Sequence, residues 1–186
     1  MGTSITAKDG PVVVTGSGGF IGSHIVLNLV KRGYQVRACV RDASNIANNA
    51  HLQSMNQIGP GSVELHSCDM MLPGAYDEVF RGAVGVFHAA AEMGNLDGST
   101  PMKVYEGGVE ATALVIDSIK KSGSVRRLVY TSSFAAVGHP CEEGYQYTED
   151  SWADMNQEAR REGSEWTMEV VARNREVAYA MTKVES

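Results

Sequence analysis

The most constraining stretch of this sequence lies near its start. The apolar run Pro11-Val-Val-Val-Thr15 passes without a spacer into Gly16-Ser-Gly-Gly-Phe-Ile-Gly22. Ile25, Leu29 and Val30 then mark one face of a helix over Ile21 to Lys31, which ends at Gly33. A short β-branched run without polar alternation predicts a strand buried on both faces. In a strand–turn–helix unit of this kind, glycines let the backbone turn sharply and approach a pyrophosphate. The helix start then offers free N–H groups and the positive end of its dipole. The spacing Gly16, Gly19, Gly22 is GxxGxxG rather than GxGxxG, and no Gly-Lys-Ser/Thr follows, which excludes a P-loop.

The alternation continues along the chain. Tyr34 to Val40, Ser62 to Ser67, Ala83 to Ala89 and Val125 to Thr131 read as further strands. Helices are expected within Asp42 to Gln57, over Leu72 to Arg81, over Lys103 to Ser122, and from about Met168 onward. Strands alternating with helices predict an α/β fold, a Rossmann-like doubly wound parallel sheet with helices on both faces. We expect one NAD(P)-binding domain over residues 1–186. Its 139–175 segment is polar, acidic and irregular, with Trp152 and Trp166 as isolated anchors.

Composition removes several classes. A 43% hydrophobic share in 186 residues excludes a disordered chain. A net charge of −6 argues against nucleic acid and anionic membranes as partners. No apolar run approaches the roughly 20 residues of a membrane span. Residues 1–10 lack the apolar core of a signal peptide, so a cytoplasmic location is expected. Cys39, Cys68 and Cys141 show no CxxC spacing, which disfavours a disulfide framework or a zinc site, and Cys39 and Cys68 read as buried thiols. His139-Pro-Cys141 has no partner pair, so no metal site is expected. His24 reads as a helix-surface residue, His51 and His66 as solvated, and His88 as a satisfied strand-end histidine.

Two places carry finer chemistry. Strand two ends Val40-Arg41-Asp42, where an acid would bond a ribose 2′-hydroxyl and a cation a 2′-phosphate. A guanidinium at Arg41 suits the phosphate and favours NADP; Asp42 is the alternative, an acid for NAD. Tyr179 and Lys183 stand at i and i+4, on one face of a helix. A nearby cation favours the phenolate, so such a phenol can pass a proton to a carbonyl. Thr131-Ser132-Ser133 closes strand five at the sheet edge where doubly wound folds bind ligands, and a hydroxyl there could hold a substrate oxygen.

Several motifs in order resemble one family. TGxxGxxG at 15–22, Asp69-Met70, His88-Ala-Ala-Ala91, Thr131-Ser-Ser133 and Tyr179-x-x-x-Lys183 look like an extended short-chain dehydrogenase/reductase of the epimerase/dehydratase superfamily. Val36 to Asp42 and Tyr147 to Asp154 are similar to its dihydroflavonol reductase and cinnamoyl-CoA reductase branch. The resemblance implies Gly16, Gly19, Phe20, Ile21 and Gly22 at the pyrophosphate and Arg41 at the 2′-phosphate. It implies Asp69 and Met70 around adenine, and Ala89, Ala90 and Ala91 beside the nicotinamide ribose. Ser133 would be the catalytic hydroxyl and Tyr179 the acid/base, with Lys183 promoting that acid/base step; Tyr179 and Lys183 would also bind the cofactor, Lys183 at the nicotinamide ribose. The implied activity is NADPH-dependent reduction of a ketone or aldehyde, a small-molecule carbonyl substrate. A sugar-nucleotide epimerase or 3β-hydroxysteroid dehydrogenase would use the same residues with NAD, and Arg41 speaks against those. Family members continue well past the lysine, so the resemblance also implies a chain lacking most of the substrate-binding part. A non-catalytic NADP-binding fragment or module is therefore the alternative.

Overall fold

The structure is a computed structural model, which describes residues 4–91, 100–137, 144–151, 173 and 175–185. By internal packing the chain divides into two compact units, Met1–Ala91 with Leu114–Thr131, and Glu92–Ala113 with Ser132–Ser186.

The first unit is a parallel sheet of β1 (Val12–Thr15), β2 (Gln35–Val40), β3 (Ser62–Ser67), β4 (Gly85–His88) and β5 (Arg127–Tyr130). Its strand order is β3-β2-β1-β4-β5. All four residues of β1 are buried, as a central strand between β2 and β4 requires. Strand side chains alternate between the two faces. Val12 and Val14 therefore join Val36, Ala38 and Val40 on one face, against Val26, Leu29 and Val30 of α1 (Phe20–Lys31) and Leu52 of α2 (Ile46–Ser54). Val13, Cys39 and Val86 face the other way, against Val79 and Phe80 of α3 (Asp77–Phe80) and Val115 of α4 (Pro101–Ser122). Helices thus cover both faces, the doubly wound arrangement expected from the alternating runs.

The strands lie where the β-branched runs placed them, within a residue or two. Helix α3 is shorter than the 72–81 expected. Pro73 interrupts the pattern, and Ala75 N–H to Leu72 O and Asp77 N–H to Gly74 O close turns instead of a helix. Only Asp77–Phe80 is helical. His66 is also less solvated than expected: its Nε2 lies 3.5 Å from a Glu64 carboxylate oxygen, with the side chain 28% exposed. The C-terminal end of α4 is fixed to α3 by Ser118, whose hydroxyl donates to Asp77 at 2.6 Å, and by Lys121 at 3.3 Å. The Ser118 hydrogen bond, more than Lys121, holds the Asp77 carboxyl below its ordinary value.

In the second unit, the first half of α4 packs on α5 (Arg175–Glu185). A Cβ at Gly108 would overlap the Thr182 methyl group, so only glycine permits this approach. The Thr182 hydroxyl donates to Ala178 O at 3.0 Å and to Val104 O at 3.5 Å. Gly108→Ala is expected to cost about 1–3 kcal/mol despite alanine's better helix propensity. Most of that loss should return in a Thr182→Ser background, which removes the offending methyl; thermal melts of the four proteins decide it. An equal loss of melting temperature on Gly108→Ala in both backgrounds would refute the contact. The irregular segment expected at 139–175, with Trp152, Trp166 and Cys141, lies largely outside the described residues, as does the part of the last helix expected before Arg173.

Candidate functional site

The glycine turn sits at the C-terminal end of β1, beside the point where the strand order reverses between β1 and β4. In open α/β sheets this is the crevice that receives ligands. Gly16 has φ +66°, and a Cβ there would stand 2.7 Å from Ala90 N and 2.8 Å from Ala90 Cα. A Cβ at Gly22 would overlap the Gly16 carbonyl oxygen. The two glycines therefore set how tightly the turn packs on the end of β4 and how tightly α1 packs on the turn.

Two residues that sequence reasoning did not single out hold the turn. The Thr15 hydroxyl accepts from Ala90 N–H at 3.1 Å and lies 2.7 Å from His88 Nδ1, tying β1 to β4. Thr15 is thus a partner of His88 at one ring nitrogen, Nδ1. Ser17 N–H donates to Cys39 O at 3.0 Å, and the Ser17 hydroxyl donates to Val14 O at 2.7 Å. A threonine just before the first glycine and a serine just after it were the only sequence signals.

Above these anchors the turn is open. Phe20 is 81% exposed and Ile21 55%. Gly19 begins α1 with no side-chain cap, and no acidic residue occupies the first turn. A helix start without a side-chain cap or an acid in its first turn fits an anionic group such as a pyrophosphate. The adjoining strand ends carry the other candidates. Arg41 follows β2 directly, is exposed, and enters none of the ion pairs among the described residues. The Asp42 carboxylate is committed elsewhere, accepting from the Ser44 hydroxyl at 2.6 Å and Ser44 N–H at 2.9 Å. These bonds, the hydroxyl first, hold its carboxyl below the ordinary range. Asp69 is exposed just beyond β3, with one carboxylate oxygen accepting from Met71 N–H, and Met70 is half-buried. Ala89 and Ala90 are half-buried beyond β4, and Ala91 is exposed.

The second unit holds the other group. Ser133 caps the 3-10 turn Phe134–Ala136 by accepting from Ala135 N–H at 3.2 Å, and α5 packs against that turn. Phe134 meets Tyr147 edge-on at 4.9 Å, which fixes the 144–151 segment beside the turn. Tyr179 and Lys183 share a face of α5, as their i, i+4 spacing requires, with Lys183 Nζ 5.9 Å from the Tyr179 ring centroid. Lys183 is 5% exposed and Tyr179 half-buried. A phenol and an amine brought together in this way are the kind of pair that can pass a proton to a substrate oxygen.

The fold and the uncapped glycine turn define a Rossmann-like protein of the doubly wound class. The model of the NAD dependent epimerase/dehydratase family matches residues 12–160, and the chain belongs to that family. It is 35% identical over 153 residues to a dihydroflavonol 4-reductase of Zea mays, covering 81% of this chain and 42% of the relative. It is 36% identical to the Hordeum vulgare enzyme of the same name, covering 79% and 41%. Among solved structures it is similar to yeast methylglyoxal/isovaleraldehyde reductase Gre2 complexed with NADPH. That match has a TM-score of 0.71 and 27% identity, covering 94% of this chain and 50% of the other. The chain spans about two fifths of the length of the curated relatives it matches. Among the described residues, no helix is long and apolar enough to cross a membrane.

Proposed function

We propose that this chain is the NADP-binding portion of a reductase that transfers hydride to a ketone or aldehyde. The observation that carries the cofactor reading is the open helix start at Gly19–Gly22, with an exposed Arg41 beside it and an Asp42 already engaged by Ser44. In this reading Gly16, Gly19, Phe20, Ile21 and Gly22 bind the pyrophosphate through backbone N–H groups. Arg41 pairs the 2′-phosphate bidentately, Asp69 and Met70 flank the adenine, and Ala89 to Ala91 line the nicotinamide ribose. The nicotinamide, when bound, supplies the hydride. The chain's residues do the rest: Ser133 holds the carbonyl oxygen, Tyr179 gives it a proton, and Lys183 stabilises the phenolate and binds the ribose. Relatives named as dihydroflavonol 4-reductases, and a similar structure described with NADPH, support a reductase using the phosphorylated cofactor.

Titration with NADPH and NADH tests the cofactor part. NADPH is expected to bind the more tightly. Arg41→Ala is expected to weaken NADPH by about 10–100-fold, the worth of a hydrogen-bonded charge pair, and to leave NADH unchanged. Equal loss for both dinucleotides would reject Arg41 as the phosphate ligand. NADPH oxidation with a panel of ketones and aldehydes tests the activity. The second reading is a dinucleotide-holding module without turnover. NADPH binding with no turnover on any carbonyl would establish that reading.

A further inference from the structure

Two thiols that take no part in this chemistry lie side by side beneath the glycine turn. Cys39 belongs to β2, and the register sets it opposite His66 of β3. Cys68 comes two residues later, on the same face, and its N–H donates to Val40 O at 2.8 Å, which continues the ladder past the end of β3. Both side chains are buried in one cluster with Tyr76, Val79 and Phe80, and no disulfide joins them.

We propose that Cys39 and Cys68 are a reversible dithiol/disulfide site, oxidised by hydrogen peroxide, whose closure weakens dinucleotide binding at the adjoining turn. The second half of this proposal rests on the NADP reading above. The roles of the two thiols differ. Burial pushes the Cys39 thiol up, whereas the hydrogen bond from Cys39 draws Cys68 down, and Cys68 is the more accessible at 7% against 2%. Cys68 therefore attacks the O–O bond. Its sulfur takes one oxygen and becomes a sulfenic acid; the other leaves as hydroxide and takes the Cys68 proton to form water. Cys39 then attacks the sulfenic sulfur, the S–S bond forms as the S–O bond breaks, and the Cys39 proton leaves with that oxygen as a second water. The two thiols together lose two electrons and two protons, and the peroxide is reduced to two waters.

The position supplies the coupling. A covalent S–S bond of about 2.05 Å is shorter than any non-bonded separation of two sulfurs, so its formation draws the strand ends together. β3 is an edge strand, which leaves its end free of a second neighbour. Cys39 O accepts the Ser17 N–H that anchors the turn, and Cys68 directly precedes Asp69. Any shift of these two residues reaches both the pyrophosphate and the adenine side of the site.

The test uses the full chain, reduced, exposed to hydrogen peroxide, alkylated with N-ethylmaleimide and digested with trypsin without reduction. Cleavage after Arg37, Arg41 and Arg81 leaves Cys39 in 38–41 and Cys68 in 42–81. These two peptides are expected to be cross-linked and to separate with dithiothreitol. Recovery of both as N-ethylmaleimide adducts overturns the site, as does Cys68 oxidised to sulfinate beside an alkylated Cys39. In Cys39→Ser, peroxide is expected to carry Cys68 past the sulfenic acid, beyond rescue by dithiothreitol. NADPH affinity is expected to fall about fivefold or more on oxidation and to return on reduction. Unchanged affinity in the cross-linked protein overturns the coupling. A reduced protein that binds no NADPH overturns the cofactor reading instead, and the cross-linked peptides then decide the thiol pair independently.

Discussion

Tyr179→Phe is expected to lower NADPH-dependent carbonyl reduction by about 10²–10⁴-fold, the usual worth of a positioned proton donor. NADPH affinity and thermal stability should stay close to those of the parent. The substitution removes one hydroxyl and keeps the ring. Among the described hydrogen bonds none uses that hydroxyl, so the packing of α5 on the Phe134–Ala136 turn has no stake in it. What is lost is the proton that must reach the carbonyl oxygen as hydride reaches its carbon. Lys183, 5.9 Å from the ring centroid, then faces an apolar ring with no anion to stabilise. Initial rates of NADPH oxidation, with the nucleotide titrated separately, separate chemistry from binding. A variant that turns over as fast as the parent would reject Tyr179 as the donor.

Much of this arrangement is legible in the sequence because its signals are local. Val12–Thr15 is β-branched throughout and lies at the sheet centre; Ser62–Ser67 alternates and lies at its edge. Tyr179 and Lys183 meet because four residues make about one helical turn. What the sequence hides is contact at a distance. Thr15 and His88 are 73 residues apart, and only the β1–β4 pairing makes them partners. Cys39 and Cys68 look like two ordinary buried thiols until the β2–β3 register places them on one face. Gly108 reads as a weak point in a helix until Thr182 is found against it. Among the described residues the misjudged helix, α3, failed on a local rule: Pro73 outweighs the neighbouring residues that favour a helix.

Gly22→Ala is expected to damage both stability and cofactor binding, although it adds a single methyl group at the start of a helix. Alanine favours helices over glycine by about 1 kcal/mol, so propensity alone predicts a gain. The contacts decide otherwise. The new Cβ would overlap the Gly16 carbonyl oxygen and stand 2.7 Å from Gly16 C and 3.0 Å from Ser17 Cα. All three are backbone atoms, so no side chain can rotate away. Nor can the turn retreat cheaply, since Ser17 is held by Cys39 O and Val14 O, and Gly16 lies against Ala90. Helix α1 must therefore part from the turn, at an overpacking cost of about 1–3 kcal/mol. For a chain of this length each kcal/mol lowers the melting temperature by about 2–4 °C. The same parting spoils the alignment of the helix-start N–H groups, so NADPH should bind at least about tenfold more weakly. Gly18→Ala is the control for stability: its Cβ would meet only Val40 Cγ1, at 3.8 Å. That variant should melt within about 0.5 kcal/mol of the parent. If Gly22→Ala melts and binds like the parent, close packing between α1 and the turn is not what shapes this site.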